Sequence, residues 1–386
     1  MQFLRILIRI LKRCGLLFVI TSLFLTIVAV ATPQGRAAVK TGAFVSQVLP
    51  SAPIKPLTWV TAPPLKKEVT FPRSQGEGVA DLYIPHGTGA RGAMLLFLGV
   101  NPAGRSDERV VNLAEALARS GIVVMVPWSE EMANYRIDPA ETDNLVHAFQ
   151  YLRDLDFVDK RRVGMGGFCV GASIATVAAQ DPRIREQVAF INFFGGYFDI
   201  TDLLKAIASR TTFGTIRQTA WSPSDQAWKT FRDNLIHSVA KSQDQKILIR
   251  TFVDREEIPT EDLEALSHHA EVVYQLLTGV TLEEAEVLLG QLPKEFQETL
   301  MSISPSENLS ALKAKMLIMH DAQDNNVPVE ESRRFRDSLK ERGNVHYTEF
   351  VFFHHMDPTR ALNPLTWTRD VAKLFFHLYH VIRIAS

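Results

Sequence analysis

The sequence predicts an α/β protein: a mostly parallel central sheet with helices on both faces and a helical lid inserted before the last strands. Three observations carry this. Short, uniformly apolar runs alternate with segments of helical period, which is how strands buried on both faces and their covering helices read. Glycines punctuate the joins. Between Gly196 and Lys315, more than a hundred residues break the alternation with helical patterns of their own.

Taken in order, the chain starts with Arg5, Arg9, Lys12 and Arg13, followed by the uncharged apolar run Cys14–Ala31. A membrane-spanning helix needs roughly 18 to 20 such residues. The basic flank precedes the run, so the N-terminus is expected in the cytoplasm and the body outside it. Ala29-Val30-Ala31 also fits a cleavage site, although a cleaved apolar region usually has only about 7 to 15 residues. Residues 1–31 therefore read as a single-pass membrane anchor, or as a signal that leaves a secreted or periplasmic protein. Residues 32–75, rich in Pro and Ala with no sustained period, read as a linker that can end by packing on the body.

Residues 76–200 read as the first part of the core. "GAMLLFLGV" is strand-like, and the helix after it spaces Val110, Val111, Leu113, Ala114 and Leu117 along one stripe. "IVVMVPW" is the next strand, and Leu145, Phe149 and Leu152 mark the next helix. "RRVGMGGF" then runs into a tight turn, an Ala-rich helix and the strand "QVAFINFFGG". Residues 201–305 form the expected lid: Leu263, Leu266, Ala270, Val273 and Leu277 make a helical stripe, and Thr281 with Glu284 makes a capping box. Within the lid, "QKILIRTF" could be a short strand. Residues 306–386 return to the core with "KMLIMHD" and "VHYTEFVFF".

Composition excludes some classes of function. Lys+Arg 42 against Asp+Glu 43 gives no field for nucleic acid, so none is expected as a partner. The two cysteines, Cys14 and Cys169, cannot form a disulfide within the exported part. Cys169 is then a lone thiol; it is either a small buried hydrophobe or a group with chemistry to do.

Gly167-Phe168-Cys169-Val170-Gly171 has the form glycine, any residue, nucleophile, any residue, glycine, at a strand-to-helix turn. Side chains at either glycine would collide with the neighbouring strand and helix. A thiol at the start of a helix meets the positive end of the dipole and free N–H groups, which favour the thiolate.

On these residues the chain resembles the α/β-hydrolase superfamily, and the cysteine makes it most similar to the dienelactone-hydrolase-like branch. The resemblance covers about 75–200 and 305–386 and implies an α/β-hydrolase fold. It also implies an acid and then a histidine after the nucleophile. "HDAQDNNVP" is similar to the family's H-G-x-x-D-x-x-V-P stretch, with His320 in place, Asp321 where glycine is usual, and Asp324 at the position of the acid. Asp321 is the competing acid. The histidine follows the last strand, at His355 or its neighbour His354. Oxyanion donors are implied at the backbone N–H groups of Val170 and Val100.

The implied function is hydrolysis of carboxylic ester, lactone or thioester bonds through a Cys169–His355–Asp324 triad and an acyl-enzyme, on a small acyl substrate that the amphipathic lid suggests is apolar. A silent hydrolase-like binding domain and an acyltransferase with the same triad are the alternatives. No cofactor motif is present, and His268-His269 lacks further ligands at metal spacing, so neither cofactor nor metal is expected.

Overall fold

The computed structural model describes residues 17, 21, 26, 28–214 and 218–386. The expected anchor or signal therefore falls largely outside the described residues. Among the described residues, no helix is long and apolar enough to cross a membrane.

Residues 32–75 are not a linker. Helix α1 (Pro33–Val48) buries Ala37, Thr41, Phe44 and Val45, a short α2 (Pro56–Val60) buries Leu57, and strand β1 spans Leu65–Pro72. Pro33 and Gly35 sit in the first turn of α1, where backbone N–H groups have no intrahelical acceptor. Pro33 lacks an N–H, and the Gly35 N–H donates to Thr32 Oγ1 at 2.9 Å.

The chain continues through β2 (Glu77–Ile84), β3 (Arg91–Phe97), α3 (Glu108–Arg119), β4 (Val123–Pro127), α4 (Glu130–Ala133), α5 (Ala140–Asp154), β5 (Val158–Phe168), α6 (Val170–Ala178) and β6 (Phe190–Phe194). The inserted segment expected as a lid, and called so below, follows as α7 (Ile200–Ser209), the hairpin β7 (Thr211–Phe213) with β8 (Gln218–Ala220), α8 (Asp225–Ser238), α9 (Ser242–Phe252), α10 (Thr260–Glu264), α11 (His268–Thr278), α12 (Leu282–Gly290) and α13 (Lys294–Ser302). The last elements are β9 (Lys315–Asp321), α14 (Val329–Ser338), β10 (Val345–Phe350) and α15 (Pro364–Ala385).

Eight strands form one sheet in the order β1-β2-β4-β3-β5-β6-β9-β10. β1 and β2 pair antiparallel, as do β2 and β4; every other pairing is parallel. Successive side chains point to opposite faces, so both faces must be covered. Ala93, Leu95 and Phe97 of β3 pack on the side of α5 and α6, while Met94 and Leu96 pack on the side of α1, α3 and α15. β4, β6 and β9 divide in the same way, which is why these runs read as uniformly apolar.

"QKILIRTF" lies within helix α9 and is not a strand. The stripe from Leu263 to Leu277 is broken into α10 and α11, and the Thr281–Glu284 capping box starts α12, with Glu284 N–H on Thr281 Oγ1 at 3.2 Å and Thr281 N–H on Glu284 Oε2 at 2.8 Å.

The two passages between core and lid are stitched together. Tyr197 Oη donates to the Ile303 carbonyl at 3.0 Å, Ile200 N–H to Ser304 Oγ at 3.1 Å, and Ser306 Oγ to Asp199 Oδ2 at 2.9 Å. Buried Glu331 of α14 accepts from the N–H groups of Phe198 and Asp199 at 2.8 and 3.0 Å and pairs with Arg334.

Candidate active site

β5 ends at Phe168 and α6 begins at Val170, so Cys169 has one residue in which to reverse the chain. Its backbone lies at φ 53° and ψ −135°, outside the usual regions for a side chain with a Cβ. Its N–H donates to the Phe194 carbonyl of β6 at 2.9 Å. A Cβ at Gly171 would lie 2.5 Å from the Leu98 carbonyl carbon, and one at Gly167 would lie 2.6 Å from Ala172 Cα. Only glycine fits on either side of the thiol.

The acid loop follows β9. Asp324 Oδ1 accepts from Asn326 N–H at 2.7 Å and Val327 N–H at 3.3 Å, leaving Oδ2 to accept from His355 Nδ1 at 2.7 Å. Burial opposes the Asp324 charge, yet the His355 charge and the His320 hydrogen bond outweigh it and hold the carboxyl well below its usual range. His355 sits beyond β10 at φ 56°. The bridge between His354 and Asp357 shapes that turn: His354 N–H donates to the Asp357 carbonyl at 2.7 Å, and the His354 carbonyl accepts from Asp357 N–H at 3.0 Å. Arg109 Nη1 secures Asp357 at 2.8 Å.

Burial likewise opposes a charged His355, but Asp324 and then Cys169 raise its pKa well above the ordinary histidine value. His355 Nδ1 is taken by Asp324, and the Cys169 thiol is the other side chain that interacts with the ring, so the buried Nε2 can exchange a proton with the thiol. The structure thus brings Cys169, Asp324 and His355 together. It leaves His354 exposed and turned into the bridge. Asp321 is engaged elsewhere, accepting from Gln323 N–H at 2.7 Å and Arg360 Nη1 at 3.0 Å.

Val170, first in α6, has an N–H with no intrahelical acceptor. Val100 lies in the loop after β3, beside the elbow, and its carbonyl accepts from Gln226 Nε2 of the lid at 2.8 Å. Val100, Cys169 and Val170 form one wall of a cavity whose other walls come from the lid: Leu203 and Ile207 of α7, Phe231 and Leu235 of α8, and Phe296 and Leu300 of α13. Its polar lining consists of neutral side chains, among them Thr230, Asn234 and Thr299. Trp128, Glu130 and Glu131 do not line it. Glu131 pairs with Arg136, and the Trp128 ring packs on Gly104.

No family model matches the sequence, and no curated protein does. Solved structures are similar. A puromycin-hydrolyzing peptidase of Mycobacterium tuberculosis aligns at 15% identity and TM-score 0.50, over 85% of this chain and 40% of that one. The acylaminoacyl peptidase of Pyrococcus horikoshii aligns at 14% identity and TM-score 0.48, over 84% of this chain and 42% of that one. An esterase of Pyrobaculum calidifontis aligns at 14% and 0.47, over 90% and 92%. The chain spans about two fifths of the length of the two peptidases. The fold is that of the α/β hydrolases.

Within the hydrolase fold, one further group bears on the site. His320 is fully buried, with Nε2 bonded to the Val327 carbonyl at 2.9 Å and 3.5 Å from Asp324 Oδ2, and Nδ1 bonded to Ser332 Oγ at 2.6 Å. The motif shows the residue, four positions before the acid. Its partner Ser332 lies on α14 and carries no signal in the sequence.

Proposed function

We propose that this protein is a hydrolase that cleaves carboxylic ester, lactone or thioester bonds of small, uncharged apolar acyl substrates. The observation that carries the reading is the 2.7 Å bond from His355 Nδ1 to Asp324 Oδ2 beside an elbow cysteine that opens on an apolar cavity. The cysteine in the elbow favours the dienelactone-hydrolase-like branch.

The Cys169 thiolate attacks the acyl carbon, a C–S bond forms, and the carbonyl electron pair moves onto oxygen, where the N–H groups of Val170 and Val100 receive it. On collapse the C–O or C–S bond to the leaving group breaks, and His355 Nε2 gives that group its proton. Water then attacks the acyl-enzyme, its proton passes to His355, and the acid leaves as the thiolate is restored. Asp324 fixes the imidazole and stabilises its charged form throughout. The apolar run ahead of residue 33 supports a body held at, or exported across, a membrane.

Nitrophenyl esters of increasing acyl length test this, with the unaltered protein, Cys169→Ala and His355→Ala side by side. Turnover that both substitutions abolish supports the reading. Equal, slow release from all three overturns it in favour of a binding domain.

A further inference from the structure

The lid does more than roof the cavity. Between β8 and the first turn of α8, residues 221–226 run from the acid loop to the oxyanion loop. At one end Trp221 Nε1 donates to the Asp324 carbonyl at 2.9 Å and Ser224 N–H to the Asn325 carbonyl at 2.7 Å. Ser224 Oγ also bonds Asn326 Oδ1 and, as the cap of α8, accepts from Ala227 N–H at 3.1 Å. Two residues on, Gln226 Nε2 reaches the Val100 carbonyl. The far end of α8 is docked as well: Asn234 accepts from Ile137 N–H at 2.9 Å and donates to the Tyr135 carbonyl at 2.8 Å.

We propose that residues 221–226 form a strap that sets the catalytic groups, with Trp221 and Gln226 as positioning residues, so that the centre is competent only while the lid is docked. This rests on the hydrolase reading above. Both loops lie outside regular structure, so their carbonyls depend on partners from elsewhere. The Asp324 and Asn325 carbonyls find theirs in the strap, and those peptides carry the carboxylate that holds His355. At the other loop, the bond to the Val100 carbonyl restrains the residue whose N–H faces the developing oxyanion. A displacement of about 1 Å in such groups costs on the order of 10²-fold in rate. Lid closure over an acyl group and assembly of the centre are thereby one event.

The test uses the full chain with Trp221→Phe, which keeps the ring and removes the N–H, and Gln226→Met, which keeps the length and removes the donor. Three properties are read: kcat and KM on a nitrophenyl ester, the pH dependence of iodoacetamide alkylation of the Cys169 peptide by mass spectrometry, and thermal melting. Gln226→Met is expected to lower kcat roughly tenfold with KM nearly unchanged and the alkylation profile unmoved, because oxyanion donors act only in the transition state. Trp221→Phe is expected to lower kcat and to move the alkylation profile up by about one pH unit, as the Asp324–His355 pair loosens. If Trp221→Phe melts early, Ser224→Gly takes its place, since glycine is a tolerable helix cap. A Trp221→Phe (or Ser224→Gly) alkylation profile superimposable on that of the unaltered protein overturns the strap, whether or not esters turn over. Absence of ester turnover in the unaltered protein, with the profile shifted in Trp221→Phe, overturns the hydrolase reading and leaves the strap standing.

Discussion

His320 Nε2 lies 3.5 Å from the same Asp324 oxygen that receives the His355 Nδ1–H at 2.7 Å, so one carboxylate oxygen serves two imidazoles. The bond to the Val327 carbonyl needs a proton on Nε2, and the Ser332 hydroxyl occupies Nδ1. His320 thus has both ring nitrogens engaged and holds the acid loop. His320→Phe is expected to lower kcat on an acyl ester by roughly 10²-fold. It also strands a buried hydroxyl and carbonyl, at about 1–3 kcal/mol each. Steady-state kinetics paired with urea titration separates the two effects.

Asp324→Asn removes the charge that keeps His355 protonated and is expected to cost roughly 10³- to 10⁴-fold in kcat. It also changes how stability depends on pH. The raised His355 pKa contributes stability that is complete below the ordinary histidine value and is lost as pH rises through the folded value. The depressed Asp324 pKa contributes stability that is present above the ordinary carboxylate range and is lost as pH falls through the folded value. Urea titrations from acid to alkaline pH should show both declines in the unaltered protein and neither of these contributions in Asp324→Asn.

Gly171→Ala drives a methyl group to within 2.5 Å of the Leu98 backbone. Backbone cannot step aside as a flexible side chain can, so a loss of about 3 kcal/mol is expected. Activity should fall further than stability, because the collision displaces Cys169 itself. Denaturant midpoints and turnover measured on the same sample check this.

Glu331 carries a pH dependence of its own. Burial pushes its carboxyl up to about 7, against Arg334 and the N–H groups of Asp199 and Phe198. The folded state therefore holds this proton more tightly than the unfolded chain, and stability falls as pH rises from the ordinary glutamate value towards 7, by about 3 kcal/mol. Glu331→Gln should flatten that decline. A variant whose stability tracks the unaltered protein between pH 5 and 7.5 would refute the assignment.

Phe44 is 1% exposed in a segment with the composition of a linker. Phe44→Ala is expected to cost about 3 kcal/mol, the usual penalty for emptying an aromatic site in a core. A melting temperature within a degree of the unaltered protein would show that α1 is dispensable.

The core and much of the candidate site are legible in the sequence because their signals are local. Cys169 announces itself through the two glycines that its turn requires, and Asp324 and His355 through their places after two late strands. The choice between His354 and His355 needed the turn itself, since only the Asp357 bridge decides which ring faces inward. Helix α1 was hidden for a different reason. Its buried stripe of Ala37, Thr41, Phe44 and Val45 includes two small side chains, so in a Pro- and Ala-rich segment no sustained apolar period stands out. Gln226 and Trp221 give no signal at all, because each acts through backbone carbonyls of residues about a hundred or more positions away.

Helices α1 and α15 lie against each other over the same sheet face, although one spans Pro33–Val48 and the other Pro364–Ala385. During synthesis the buried stripe of α1 leaves the ribosome well before α15, and must wait for the intervening segment before its partner arrives. Closing so long a loop is entropically slow. Until α15 has been made and docked, the stripe of α1 stays open to non-native contacts, and α15 acts as the clasp that covers it.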